Sequence, residues 1–178
     1  ARLAPRSLDE FAGQTQLLGP GKLLRRLIEA GRVNSAVFFG PPGTGKTALA
    51  RYIARSAGNA ELVEINAVTA GVPVLKGQLE AAKYRLAQSG RRTLLLVDEI
   101  HHFNRTQQDV LLPAVERADV ILIGMTTENP SFYVNAALLS RSTAFEFTPI
   151  SEHELSRVLD RALADAELGL GESRLDLD

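Results

Sequence analysis

The chain has 178 residues, 45% of them apolar, with 20 basic and 21 acidic side chains and no cysteine. That length suits one domain around one core. A net charge of −1 neither indicates nor excludes a nucleic-acid partner. The lack of cysteine removes disulfides and thiolate metal sites and suits a reducing interior.

No apolar run approaches the ~20 residues of a membrane-spanning helix, and no secretory signal pattern opens the chain. A cytoplasmic protein with no membrane partner is expected, nucleoid-associated if bacterial. A chain that starts at Ala1 and stops at Asp178 after a helix-like stretch reads as a piece of a longer protein. Short apolar runs then alternate with helical patterns, the rhythm of βαβ units around a parallel sheet. Lys22 to Ala30 places Leu23, Leu24, Leu27 and Ile28 on one side of a helix, with Gly31 as its C-cap. The first strand runs from Ala36 to Phe39 and ends at Gly40, and a helix from Thr47 to Ala57 follows the glycine-rich turn. A second strand spans Glu61 to Ile65. From Pro73 to Ser89, Leu75, Leu79, Ala82 and Leu86 recur at helical spacing, with Lys76, Lys83 and Arg85 on other faces. The third strand is Thr93 to Val97, and Thr106 is expected to cap a helix running to Ala118. The fourth strand, Val120 to Met125, and the third are nearly continuous Leu, Val and Ile, as strands covered on both faces require. The fifth is Ala144 to Phe147. Ser151 and Glu154 form a capping box before a final helix ending near Leu168. The expected fold is α/β: a doubly wound, five-stranded parallel sheet with helices on both faces. Residues 1–150 would form this domain, and 151–178 would open a helical domain that the chain does not complete.

Gly40-Pro41-Pro42-Gly43-Thr44-Gly45-Lys46-Thr47 matches the phosphate-loop pattern G-x-x-x-x-G-K-[ST] and lies where that motif belongs, between an apolar strand and a helix. Glycines let the backbone curl so that amide hydrogens converge, and the helix N-terminus adds partial positive charge. With Ala48 in the first helical turn, this segment would bind ATP. Lys46 would reach the β- and γ-phosphates, and the Thr47 hydroxyl would be a ligand for Mg²⁺, which prefers oxygen. The plain alternative is a glycine-rich turn without a ligand.

The third strand ends in Asp98-Glu99. A strand tip beside the phosphate loop is where an open α/β sheet binds its ligand. Asp98 is suited to hold the magnesium through water. Glu99 is suited to orient and polarise the attacking water, since adjacent strand residues point in different directions. A second acid argues for hydrolysis rather than transfer to a substrate hydroxyl. Set against this is a solvated acidic pair at a strand end.

With these motifs the chain resembles the AAA+ superfamily, and one branch closely. Pro5-Arg6-Ser7-Leu8-Asp9-Glu10-Phe11-Ala12-Gly13-Gln14 followed by Leu17-Leu18-Gly19-Pro20-Gly21, Asp98 to Asn104, Gly124 to Phe132, and Ala137-Leu138-Leu139-Ser140-Arg141 are similar to the replication-associated recombination protein A family, over about residues 5 to 160. His102 stands where that family has arginine, and Met125 where alanine is usual. The resemblance implies an AAA+ sheet and a DNA-dependent ATPase that acts at stalled replication forks. Its implied partners are a homotetramer, single-stranded or forked DNA, and single-stranded-DNA-binding protein. It further implies that Thr127, with Asn129 as the alternative, senses the γ-phosphate, and that Arg141 is an arginine finger supplied to a neighbouring subunit; set against these are a Thr-Thr-Glu-Asn-Pro turn satisfied by its own backbone and a surface arginine in a salt bridge. Leu8, Phe11, Ala12 and Gly13 would help form the adenine pocket.

Asn66, ending the second strand, either holds Glu99 away from water or caps the strand. His101 and His102 are adjacent rather than at the i, i+4 spacing of a zinc pair, so structural roles are expected. Lys76, Lys83, Arg85, Arg91 and Arg92 either face DNA or form a solvated surface. Rival readings are a clamp-loader subunit, a Holliday-junction branch-migration motor, a nucleotide-gated binding module without turnover, and a small-molecule kinase. No arginine suited to a second sensor appears after Ser151.

Overall fold

The computed structural model describes residues 4–164. In chain order it contains α1 (Thr15–Leu18), α2 (Leu23–Glu29), β1 (Ala36–Phe39), α3 (Lys46–Ser56), β2 (Ala60–Asn66), α4 (Val72–Ser89), β3 (Arg92–Asp98), α5 (Arg105–Glu116), β4 (Val120–Thr126), α6 (Pro130–Tyr133), α7 (Ala136–Leu139), β5 (Thr143–Glu146) and α8 (Glu152–Ala164). Short 3-10 turns occupy Leu8–Glu10 and Ile100–His102. The strands pair in parallel in the order β2-β3-β4-β1-β5. This is the doubly wound sheet expected from the alternating pattern.

Successive strand residues point to opposite faces, so the apolar runs of β3 and β4 feed two cores. Leu94, Leu96, Ile123 and Met125 join Phe38, Phe145 and Phe147 against Leu24, Ile28, Leu49 and Ile53 of α2 and α3. Leu95, Val97 and Leu122 pack on the other face with Leu75, Ala82, Leu111 and Ala114 of α4 and α5. Burying an aliphatic side chain of this size stabilises the fold by about 1.5–3 kcal/mol. Either layer therefore outweighs any exposed ion pair in the molecule.

Helix ends decide several boundaries. After α2, Gly31 adopts φ +63° and donates to the Ile28 carbonyl, the left-handed cap its sequence position suggested. The start of α5 is a correction. Asn104, not Thr106, is the cap: its Oδ1 accepts from the Gln107 amide at 3.0 Å while Gln107 Oε1 accepts from the Asn104 amide at 2.9 Å. A reciprocal box satisfies two end donors at once, so the helix begins two residues early and Thr106 falls inside its first turn. β5 begins at Thr143, one residue ahead of expectation, and Phe147 follows it with its amide bonded to the Phe39 carbonyl. Ser151 and Glu154 do form a capping box. The expected end of that helix near Leu168 lies outside the described residues. Among those residues, no helix is long and apolar enough to cross a membrane.

Candidate nucleotide site

β1 delivers the chain to the phosphate loop at Gly40, whose φ of +132° is open to glycine alone. A Cβ there would lie 2.1 Å from the Phe147 carbonyl oxygen. Gly43 and Gly45 are also left-handed, at +74° and +93°. The loop then turns into α3, whose N-terminus carries no side-chain cap. Its leading amides keep their capacity for an external anion. The Thr44 hydroxyl closes the loop on the Pro41 carbonyl at 2.9 Å. Lys46 Nζ donates to the carbonyls of Gly40 at 2.6 Å and Pro41 at 2.7 Å, so the ammonium stands over the hollow that the loop encloses. Burial holds its pKa below the ordinary lysine value, against the opposing attraction of Glu99 and Asp98.

β4 lies between β1 and β3, and its tip joins the loop to the acidic pair. The Gly40 amide donates to the Thr126 carbonyl at 3.2 Å. The Thr126 hydroxyl, on a residue only 1% exposed, meets His101 Nδ1 at 2.8 Å and accepts from the Glu128 amide. His101 reaches this point because the turn Ile100–His102 packs directly on β4 at Gly124. There a Cβ would stand 2.8 Å from Ile100 Cδ1. Asp98 closes β3 opposite Asn66 of β2, and its Oδ1 accepts from the Glu99 amide at 3.1 Å. Glu99 itself is left-handed, φ +53°. Its Oε2 is buried without a hydrogen-bond partner, 3.3 Å from His101 Nδ1 in a contact that fails hydrogen-bond geometry.

Leu8, Phe11, Ala12 and Gly13 line one cleft of about 430 Å³, closed on its far side by Glu154, Arg157 and Val158 of α8. Gln14 anchors this cleft to the loop. It is 4% exposed, and its Nε2 donates to the carbonyls of Thr148 at 2.7 Å and Thr44 at 3.3 Å. Its Oε1 accepts from the Thr148 amide at 3.1 Å. In the sequence Gln14 closes the Pro5–Gln14 segment that carries the family resemblance, but no structural role was expected of it.

The family model for the ATPase family associated with various cellular activities (AAA) matches residues 36–150. The chain belongs to the AAA family. It is 48% identical to the replication-associated recombination protein A of Haemophilus influenzae over the whole chain and 40% of that protein. With the protein of that name from Escherichia coli K12 it shares 47% identity over 96% of the chain and 38% of that protein. It thus spans about 40% of the length of the curated relatives it matches. Among solved structures, the Thermotoga maritima RuvB Holliday junction branch migration motor superposes with a TM-score of 0.69 at 30% identity, over 92% of this chain and 55% of that one.

One expected site residue of this AAA domain, Arg141, lies apart from the loop. Arg141 sits at the opposite end of the strands from the phosphate loop, in a pocket with Asn34, Arg92, Glu116 and Val120 near the strand starts. It pairs with Glu116 at 2.7 Å. Thr127 is exposed one residue beyond β4, and Asn129 caps α6 by accepting from the Ser131 amide at 3.0 Å. The Asn66 Oδ1 accepts from the Val68 amide at 2.9 Å. Of the basic residues weighed for DNA, Arg85 bonds to Thr93 and Arg91 pairs with Glu61. Among the described residues, no group of three potential metal-binding side chains forms from His, Asp and Glu.

Proposed function

We propose that this AAA domain binds Mg-ATP and hydrolyses it as the motor of a DNA-dependent replication-fork maintenance or recombination factor. The observation that carries this reading is the phosphate loop with Lys46 Nζ folded over its carbonyls, tied through the Gly40–Thr126 bond to the β4 tip beside the strand end that bears Asp98 and Glu99. The phosphate-loop amides and Lys46 would take the triphosphate, with Leu8, Phe11, Ala12 and Gly13 beside the adenine. The oxygen donors Thr47 and Asp98 suit Mg²⁺, which when bound supplies charge neutralisation at the phosphates. Glu99 would align water for in-line attack and accept its proton, with no covalent intermediate. Thr127, or Asn129, would contact the γ-phosphate.

Arg141 stands at the opposite end of the strands from its own phosphate loop, which supports a finger acting in trans on a neighbouring copy. Hydrolysis would then depend on assembly, as a tetramer on family likeness. Residues 151–178 would open the helical lid, since α8 already borders the adenine cleft. Single-stranded or forked DNA and single-stranded-DNA-binding protein are the proposed partners, and the cytoplasm the proposed compartment. The likeness to RuvB supports a branch-migration motor as the second reading. The higher identity to replication-associated recombination protein A over the whole chain favours the first.

Steady-state ATPase assays of the full-length protein, with and without forked DNA, test the proposal. Lys46→Ala should abolish tight ATP binding, and Glu99→Gln should keep binding but stop turnover. Wild-type hydrolysis by Glu99→Gln would remove Glu99 from its role.

A further inference from the structure

The geometry points to His101 as a positioning residue for hydrolysis, one that sets the Glu99 carboxylate through its Nδ1 atom; this rests on Glu99 being the residue that activates water. Glu99 is held at some expense. A non-glycine residue at φ +53° is costly, and a buried carboxylate oxygen without a donor is costly as well. Such a side chain stays put only where its surroundings fix it, and the polar atom beside it is His101 Nδ1 at 3.3 Å.

Nδ1 has room for one hydrogen and faces two oxygens. Thr126 Oγ1, at 2.8 Å, already takes its hydrogen-bonding capacity. With the hydrogen on Nδ1, it is directed at Thr126. With the hydrogen on Nε2, the Thr126 hydroxyl donates to Nδ1. Both tautomers leave Glu99 Oε2 without a donor, which accounts for the orphaned atom. A small rotation of the ring from Thr126 toward Glu99 would give that oxygen its donor and fix the carboxylate.

The ring is built into a joint. It stacks on His102 with centroids 4.3 Å apart and meets the edge of Tyr133 of α6 at 5.9 Å. Tyr133 is itself tied down, because its carbonyl and the Asn135 amide both bond to the buried side chain of Gln108. The position of the β4 tip and of α6 is thereby transmitted to Glu99 through a single imidazole. Thr126 meanwhile connects the same imidazole to the phosphate loop through Gly40.

The test uses the full-length protein. His101→Phe keeps a ring between His102 and Tyr133 but has no Nδ1. His101→Asn loses the ring but can place an amide nitrogen near the Nδ1 position. His101→Phe should lower kcat roughly 10- to 100-fold, the scale for a misplaced reacting group, with KM and ATP affinity unchanged. His101→Asn should recover most of that loss. A merely structural role would show equal losses in Phe and Asn variants, or a KM change alongside kcat, and would overturn the inference. Full loss in Glu99→Gln with normal turnover in His101→Phe would overturn this inference alone. Normal turnover in Glu99→Gln would overturn the reading of Glu99 beneath it.

Discussion

Gly40→Ala probes the junction between the fold and the phosphate loop. The new Cβ would sit 2.1 Å from the Phe147 carbonyl oxygen and 3.0 Å from its carbon. Relief requires the chain after β5 to retreat by more than about 1 Å to reach ordinary van der Waals contact at 3.4 Å or beyond. That retreat strains the bond from the Phe147 amide to the Phe39 carbonyl, now 2.7 Å. It also disturbs Phe147, which is 1% exposed with its ring 5.2 Å from Phe38. Strained backbone contributes about 1–3 kcal/mol, overpacking about 1–3 and one weakened hydrogen bond about 1. The loss should be on the order of 3–7 kcal/mol, a fall in Tm of roughly 10–25 °C for a domain of this size. Gly43→Ala is the control. Its φ is +74° but nothing lies within 4 Å of the new Cβ, so left-handed strain alone applies, about 1–2 kcal/mol. Calorimetry of both variants separates the terms. Equal Tm values for the two, or a Gly40→Ala Tm within a few degrees of wild type, would refute the packing argument.

Gln14→Met, of similar length but without amide groups, should cost about 2–4 kcal/mol by orphaning groups of Thr44 and Thr148. It should also weaken ATP binding by freeing the cleft from the loop; unchanged denaturation and affinity would refute this. Arg141→Ala removes a half-exposed ion pair with Glu116, so stability should shift by less than about 1 kcal/mol while hydrolysis in the assembly falls ~10³-fold or more. Mixing it with Glu99→Gln subunits should restore activity in trans, and a mixture as inactive as its parts would tell against the finger. The two-pronged Arg51 pair, at 2.8 Å on each arm, holds the Glu64 carboxyl below its usual pKa. A depressed carboxylate pKa adds stability that is present above the unfolded value near 4.5 and lost as pH falls through the folded one. Glu64→Gln should therefore flatten the acid limb of the stability curve and cost less than about 1 kcal/mol at pH 7; an unchanged acid limb would exclude this pair as its source.

The strands were legible because a sheet covered on both faces writes itself as unbroken Leu, Val and Ile. β1 fell where its apolar run placed it; β2 and β3 each gained one residue at both ends, and β4 one at its C-terminal end, where backbone pairing outlasts hydrophobicity, as at Asn66 with Asp98. The boundary that failed, at α5, depended on a choice between two good capping residues. Thr106 and Asn104 both suit the position, but only Asn104 has Gln107 three residues on to complete the reciprocal pair. Helix termini turn on such single contacts, whereas strand identity is summed over many.

The site divides along the same line. The phosphate-loop segment fell between β1 and α3, and Asp98-Glu99 at the end of β3, where their contiguous patterns placed them. The rest depends on register. Two threonines follow one another at the end of the fourth strand, and pairing of Phe39 with Thr126 decides that Thr126 is the last ladder residue, buried, while Thr127 emerges exposed. Nothing local distinguishes them. Likewise His101 is an unremarkable polar residue until Gly124 lets Ile100 pack closely on β4, which carries the imidazole to Thr126 and Glu99 at once. A side chain at Gly124 would press on the Ile100 side chain that seats this turn, without touching the nucleotide-binding motif. On the proposed reading, binding and turnover would draw on different parts of the sequence: the first on the phosphate loop and the cleft beside it, the second also on how closely one turn lies against a neighbouring strand.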